Sequence, residues 1–197
     1  EGESTLLYPF DPRVAWVAAC YHRTSSRISW DLCSSNAVRL EPLFDDLLPA
    51  LVSDERLPRS KVPFSVEVGA APDFEASPLQ LRGVVKNAIV EAFTSHAIAA
   101  ELDADSPDIV FVARRAGTPE MRRTVVGIDI GGGARHRGGA RAAMGPAPLR
   151  ETMASQLIMM SRWDARSEPL VDPMTGGGTI PIEAAGLAVG AAIRRPD

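Results

Sequence analysis

The sequence predicts an α+β fold that runs on into the opening of an α/β unit. Three observations predict it. Apolar residues recur at period two in some stretches and at three and four in others, in the order strand, helix, strand, helix, two strands, then helix, strand, helix. A glycine loop joins the last apolar strand to the last helix. The composition, 45% hydrophobic and 23% charged over 197 residues, is that of a folded protein able to bury a sizeable core.

The elements follow in order. Residues 14–20 are a short apolar run and read as a buried strand. Leu40, Leu43, Phe44, Leu47, Leu48 and Leu51 form the apolar stripe of an amphipathic helix, with Pro42 in its first turn. Asp54 to Pro63 is polar and holds two prolines, which reads as a linker. Phe64, Val66 and Val68 alternate with Ser65, Glu67 and Gly69, the pattern of a half-buried strand. From Leu79 to Phe93 the spacing is helical, with Leu81, Val84, Val85, Ala88, Ile89 and Ala92 on one face. Residues 101–108 are acidic and turn-like. Ile109 to Ala113 and Thr124 to Ile130 read as strands joined by a hairpin-type connection at Gly117-Thr118-Pro119-Glu120. Gly131 to Gly145 is rich in glycine and arginine and reads as irregular. Pro148 to Trp163 reads as a helix ending near Asp164, Pro169 to Met174 as a strand, Thr175 to Gly178 as a loop, and Thr179 to Ile193 as a helix.

Composition narrows the function classes. No run of 18 apolar residues occurs, so no membrane-spanning helix and no membrane partner are expected. The first residues, Glu1-Gly2-Glu3-Ser4, are acidic and do not read as a signal peptide, which sets a cytoplasmic expectation. Cys20 and Cys33 form no CxxC pair, and His22, His96 and His136 are scattered, so no metal site is expected. Both cysteines read as small buried hydrophobes, and Trp30 and Trp163 as core or interface rings.

The net charge of −4 is unevenly spread. Residues 114–150 carry eight arginines against two acidic side chains, whereas every other stretch is net acidic. Arginine forms bidentate contacts with phosphate and stacks on bases, so the stretch suits nucleic acid. A solvated face of strands and turns is the plainer alternative.

The strongest local signal is Leu170-Val171-Asp172-Pro173-Met174-Thr175-Gly176-Gly177-Gly178-Thr179-Ile180. An apolar segment ends in an acid, glycines follow, and a helix begins. Nucleotide-like ligands sit in this geometry, near a helix N-terminus whose orphan N–H groups favour an anionic group. Glycine lets the backbone turn tightly and the ligand approach without a Cβ in the way. Thr179 can serve as N-cap or first-turn residue. No Gly-Lys-Ser/Thr follows, so the loop is not a phosphate-binding P-loop, and Pro181 stands where a dinucleotide fingerprint would need glycine. Taken alone, the motif is equally a structural strand-to-helix turn, with Asp172 a helix-capping partner.

Asp172-Pro173-Met174, Gly176, Gly178-Thr179-Ile180 and Ile182-Glu183-Ala184-Ala185 together resemble the first cofactor motif of the THUMP-containing RNA methyltransferases. That family includes bacterial enzymes that methylate guanine N2 in ribosomal RNA, and tRNA-modifying relatives. Gly145 to Thr152 resembles the start of the family's linker helix. Arg135-His136-Arg137-Gly138-Gly139-Ala140-Arg141 resembles its His-Lys-Arg-Gly-Tyr-Arg segment, and Leu81 to Phe93 its Lys-Asp-Ala-Ile-Val helix. The three segments stand in the family's order over roughly residues 40–195. The chain departs in carrying Thr175-Gly176-Gly177-Gly178 for the usual Cys-Gly-Ser-Gly, and Gly138 and Ala140 where the family has arginine and tyrosine.

The resemblance implies a ferredoxin-like region at 1–60, a THUMP-type RNA-binding domain at 61–145, and a linker helix with the start of a Rossmann-like methyltransferase domain at 146–197. It implies S-adenosylmethionine as cofactor, with Asp172, Pro173, Gly176, Gly178 and Thr179 lining its methionine end. It implies rRNA or tRNA as partner, held by Arg135, Arg137, Arg141, Arg150 and Lys86, with guanine N2 the acceptor. The family's catalytic Asn/Asp-Pro-Pro-aromatic motif does not occur in these 197 residues. The catalytic residues are therefore unassigned, and the chain reads as the front portion of such an enzyme. A non-catalytic THUMP-type RNA-binding module is the alternative.

Overall fold

The computed structural model describes residues 5–69, 71, 73–118, 121–133 and 149–193. The chain divides into two compact units. One is Glu1–Pro9 with Ser29–Asp129; the other is Phe10–Ile28 with Ile130–Asp197.

The first unit is a mixed α/β layer structure. Its strands are β1 (Ser29–Ser35), β2 (Pro63–Val68), β3 (Glu101–Leu102), β4 (Ile109–Ala116) and β5 (Arg123–Asp129), and its helices are α2 (Leu40–Ser53) and α3 (Pro78–Ser95). The sheet runs β1-β5-β4-β2-β3. β5 pairs antiparallel with β1 and β4, while β2 pairs parallel with β4 and β3. Residues on both sides of position 60 thus share one sheet.

Each helix forms for reasons visible in its sequence. α3 starts at a capping box: the Gln80 amide N–H donates to Ser77 Oγ at 3.3 Å and the Ser77 N–H donates to Gln80 Oε1 at 3.0 Å, with Pro78 next in line. Leu81, Val85, Ala88, Ile89, Ala92 and Phe93 recur at helical spacing and are buried. α2 buries Leu43, Leu47 and Leu51, four residues apart. These two stripes meet Phe64, Val66, Phe111, Ala113 and Val126, which period-two alternation places on one face of the sheet. Phe64, Phe93 and Phe111 form the centre, with ring centroids 5.4, 5.5 and 6.4 Å apart and two of the three contacts edge-to-face. β1 and β3 are absent from the sequence reading. β1 carries Ser29, Asp31, Ser34 and Ser35 and slips register between Asp31 and Cys33, which erases its alternation. The two-residue β3 is too short to show a period.

The second unit is helical: α1 (Pro12–Tyr21), α4 (Glu151–Ser161) and α5 (Thr179–Ala188). The chain between its two segments leaves and returns at one place, where the Ile130 and Gly131 N–H groups donate to the Ile28 carbonyl at 3.0 and 3.2 Å.

Residues 14–20, expected as a buried strand, are helical. Asp11 Oδ1 accepts from the amides of Arg13 and Val14 at 2.7 and 3.1 Å, and Pro12 opens the first turn. This Asp-Pro start outweighs a run that is apolar on every side and therefore has no period to read. The run is also not buried: Val14, Trp16 and Val17 are exposed, and Cys20 alone among α1 residues is fully covered. The other two helices are shorter than expected. α4 ends at Arg162 in the left-handed region, and Asp164 instead caps the next turn by accepting from Arg166 N and Ser167 Oγ. After α5, Gly190 at φ 63° turns the chain away.

Candidate cofactor site

The glycine loop lies in the second unit. Gly176 (φ 50°) and Gly178 (φ 80°) both sit where L side chains rarely go. The Gly178 N–H donates to the Thr175 carbonyl at 2.7 Å, and Gly178 is itself the N-cap of α5, with no side chain capping it. Space is not what requires glycine here. A Cβ at Gly176 would come no nearer than 3.9 Å to the Met174 carbonyl oxygen, and one at Gly178 no nearer than 3.6 Å to Ile182 Cδ1. The backbone conformation requires it, and the surface above the loop is open.

Asp172 is half-buried. Its Oδ1 accepts from the Met174 N–H at 3.0 Å, and its Oδ2 accepts no hydrogen bond among the described residues. Pro173 is exposed and Thr179 is buried as the first residue of α5. The loop therefore offers a free carboxylate oxygen beside a helix start whose first N–H groups lack intrahelical acceptors. One partner suits an ammonium and the other a carboxylate, which is what the zwitterionic end of a methionine presents.

Pro169 to Met174, expected as a strand, is not one: the segment is irregular up to the turn. A strand needs a neighbour for its N–H and C=O groups, and among the described residues this unit contains no other strand. Val171 and Met174 are accordingly exposed at 82% and 90%.

Behind the loop lies a polar node that sequence reasoning missed. Arg23 Nη1 donates to Glu183 Oε2 at 2.8 Å, and Ser155 Oγ donates to the same oxygen at 2.8 Å. Glu183 is the single charge within the small-residue helix α5, and an isolated acid in such a helix is the signal that could have pointed to a buried partner.

Two of the residues expected to hold RNA are among the described residues. Arg135, Arg137 and Arg141 lie outside the described residues. Arg150 is exposed at the N-cap of α4, and Lys86 is half-buried on α3, one turn from the exposed Arg82. Part of the positive stretch is spent within the first unit. Arg115, its side chain 3% exposed, pairs with Asp73 at 2.7 Å, and Arg122 reaches the same carboxylate at 3.5 Å. Arg114 pairs with Asp31 at 2.6 Å. Among the described residues no group of His, Cys, Asp and Glu could hold a metal ion, and no helix is long and apolar enough to cross a membrane.

Solved structures with this fold are methylases. A predicted N6-adenine-specific DNA methylase from Listeria monocytogenes superposes with a TM-score of 0.66 at 25% identity, covering 91% of this chain and 46% of that one. A possible methylase from Clostridium difficile gives 0.64 at 27%, covering 94% and 48%. In sequence, residues 138–196 match the RMKL-like methyltransferase domain family. The ribosomal RNA large subunit methyltransferase K/L of Aliivibrio fischeri is 38% identical over 132 residues, 64% of this chain and 18% of its own length. That of Alteromonas mediterranea is 31% identical over 192 residues, 95% of this chain and 26% of its own. The chain thus spans about a fifth to a quarter of the length of these relatives. The likenesses in sequence are thus to ribosomal RNA methyltransferases, and those in structure to methylases.

Proposed function

We propose that this chain is the RNA-binding portion of an S-adenosylmethionine-dependent RNA methyltransferase of the cytoplasm, acting on guanine N2 of rRNA or tRNA. The observation that carries the reading is the open loop after Asp172, with left-handed Gly176 and Gly178 leading into α5. Asp172, Pro173, Gly176, Gly178 and Thr179 would hold the methionine end of the cofactor. When bound, S-adenosylmethionine supplies a methyl carbon made electrophilic by its sulfonium. The loop's share of the work is to orient that donor. Arg135, Arg137, Arg141, Arg150 and Lys86 would hold RNA phosphates, with the sheet unit of residues 29–129 the candidate for the THUMP-type module.

The irregular course of residues 169–174 favours a second reading, in which the loop is a structural turn and the chain is a non-catalytic THUMP-type RNA-binding module. Calorimetric titration of the full-length gene product with S-adenosylhomocysteine separates the two. Under the donor reading the wild type binds, and Gly178→Val, which places a β-branched side chain at φ 80°, weakens binding by about tenfold or more. The 197 residues alone bind poorly. A full-length protein that does not bind, or a Gly178→Val variant that binds as the wild type does, returns the loop to a turn.

A further inference from the structure

Arg23 follows α1, and its side chain is 8% exposed. Nη1 donates to Glu183 Oε2 in the second turn of α5, and Nη2 donates to the Ala191 carbonyl just past that helix's end. Glu183 is 12% exposed, and its second donor, Ser155 on α4, is fully buried. One guanidinium thus holds α5 in its second turn and the chain just past its end, and Ser155 of α4 meets the same carboxylate.

Gly186 lies between those two points. A Cβ there would stand 2.9 Å from Nη2 and 3.1 Å from Nη1 of Arg23. The guanidinium lies close over Gly186, and a side chain there requires it to shift. Two weaker ties run beside it: Ile193 N–H to the Cys20 carbonyl at 2.8 Å and Gln156 Nε2 to the Thr24 carbonyl at 3.1 Å.

The glycine loop has little of its own to hold it. It is exposed and no side chain caps the helix that follows. Apolar packing of α5 is thin as well: Thr179 and Ala184 are its buried residues, and Ile182 is 56% exposed. A helix is stiff over two turns, so the place where its second turn is gripped decides where its first turn presents N–H groups.

We infer that Arg23 is a positioning residue for the methyl-donor loop, acting through Glu183 and the Ala191 carbonyl to set where α5 begins. The inference rests on the donor reading proposed above. It assigns a task in donor binding to a residue some 150 positions upstream of the loop, in a segment that lies outside the cofactor motif in sequence.

The test uses the full-length gene product and S-adenosylhomocysteine titration, read beside thermal melts. Gly186→Ala is the most telling variant. Alanine raises helix propensity, so a purely structural view expects an unchanged or higher melting temperature and unchanged binding. Displacement of Arg23 instead weakens binding by about tenfold at a temperature where wild type and variant are both fully folded, whatever the loosened ion pair costs in melting temperature. Arg23→Lys keeps the charge but can hold one of the two acceptors, and gives an intermediate loss. Glu183→Gln, which keeps volume and the Ser155 contact, serves where either variant folds poorly. Affinity within about twofold of wild type in Gly186→Ala and in Arg23→Lys overturns the inference. A wild type that does not bind sinks the donor reading itself, so the two failures are distinct.

Discussion

Asp73 shows how a single carboxylate can be committed by its surroundings. Arg115 donates twice to its Oδ2, through Nε at 3.1 Å and Nη2 at 2.7 Å, and the same guanidinium donates to Thr124 Oγ1 at 2.9 Å. The Arg115 hydrogen bond, above the opposing effect of burial, holds the Asp73 carboxyl below its ordinary value of 3.8. A depressed folded-state value means that the pair stabilises the fold fully above the ordinary carboxylate range. That contribution fades as pH falls below 3.8 toward the folded-state value. Urea midpoints of wild type and Asp73→Asn are therefore expected to differ near neutrality and to converge below about pH 4. A gap that stays constant down to about pH 2.5 would show that the carboxylate contributes nothing through its charge. Nothing in sequence spacing joins Asp73 to Arg115, 42 residues apart. The arginine stretch was legible as positive charge, and which arginines remain available to a ligand was not, because the ion pairs join residues far apart in the chain.

Elements were legible in proportion to the regularity of their apolar pattern. α2, α3, β2, β4 and β5 stand where period and capping residues place them. β1 does not announce itself, and its pairing depends on a glycine in the partner strand. A Cβ on Gly127 would lie 2.6 Å from the Trp30 carbonyl oxygen and 3.0 Å from Asp31 Cα, both backbone atoms that no rotamer change can move. Gly127→Ala is expected to push β1 off β5 at its bulge and to lower the unfolding free energy by about 1–3 kcal/mol, the usual cost of overpacking. Denaturant melts at neutral pH measure it, and a variant as stable as wild type would mean that β1 yields without loss. α1 was misread for the opposite reason. Its residues are apolar all round, so the cap at Asp11-Pro12 had to decide, and a short window centred on the apolar run passes over it.

Across the whole molecule the charge is distributed rather than balanced. The net value of −4 hides an arginine-rich stretch, and within it Arg114, Arg115 and Arg122 are already paired with acids. Arg123 and Arg150 of the same stretch are exposed, and the RNA contact proposed above rests on Arg150 and Lys86 with Arg135, Arg137 and Arg141. Arg137→Ala with Arg141→Ala is expected to weaken binding to structured RNA and to reduce the salt dependence by roughly 0.7–0.9 in slope for each arginine that meets a phosphate. Filter binding across a salt series reads both quantities. An unchanged slope would remove these two arginines from the RNA contact, whatever happens to affinity.

Local chemistry determined the helices with clear stripes, the alternating strands, the turn after Asp172 and the glycines it uses. Each depends on residues within a few positions of one another, where period, capping and left-handed backbone act directly. Tertiary structure alone decided that Pro169 to Met174 forms no ladder, that residues 10–28 fold with residues 130–197, and that Arg23 reaches Glu183. A strand exists only if another supplies its hydrogen-bond partners, and a buried guanidinium is stable only where distant segments bring it a carboxylate, so neither can be read from the residues beside it.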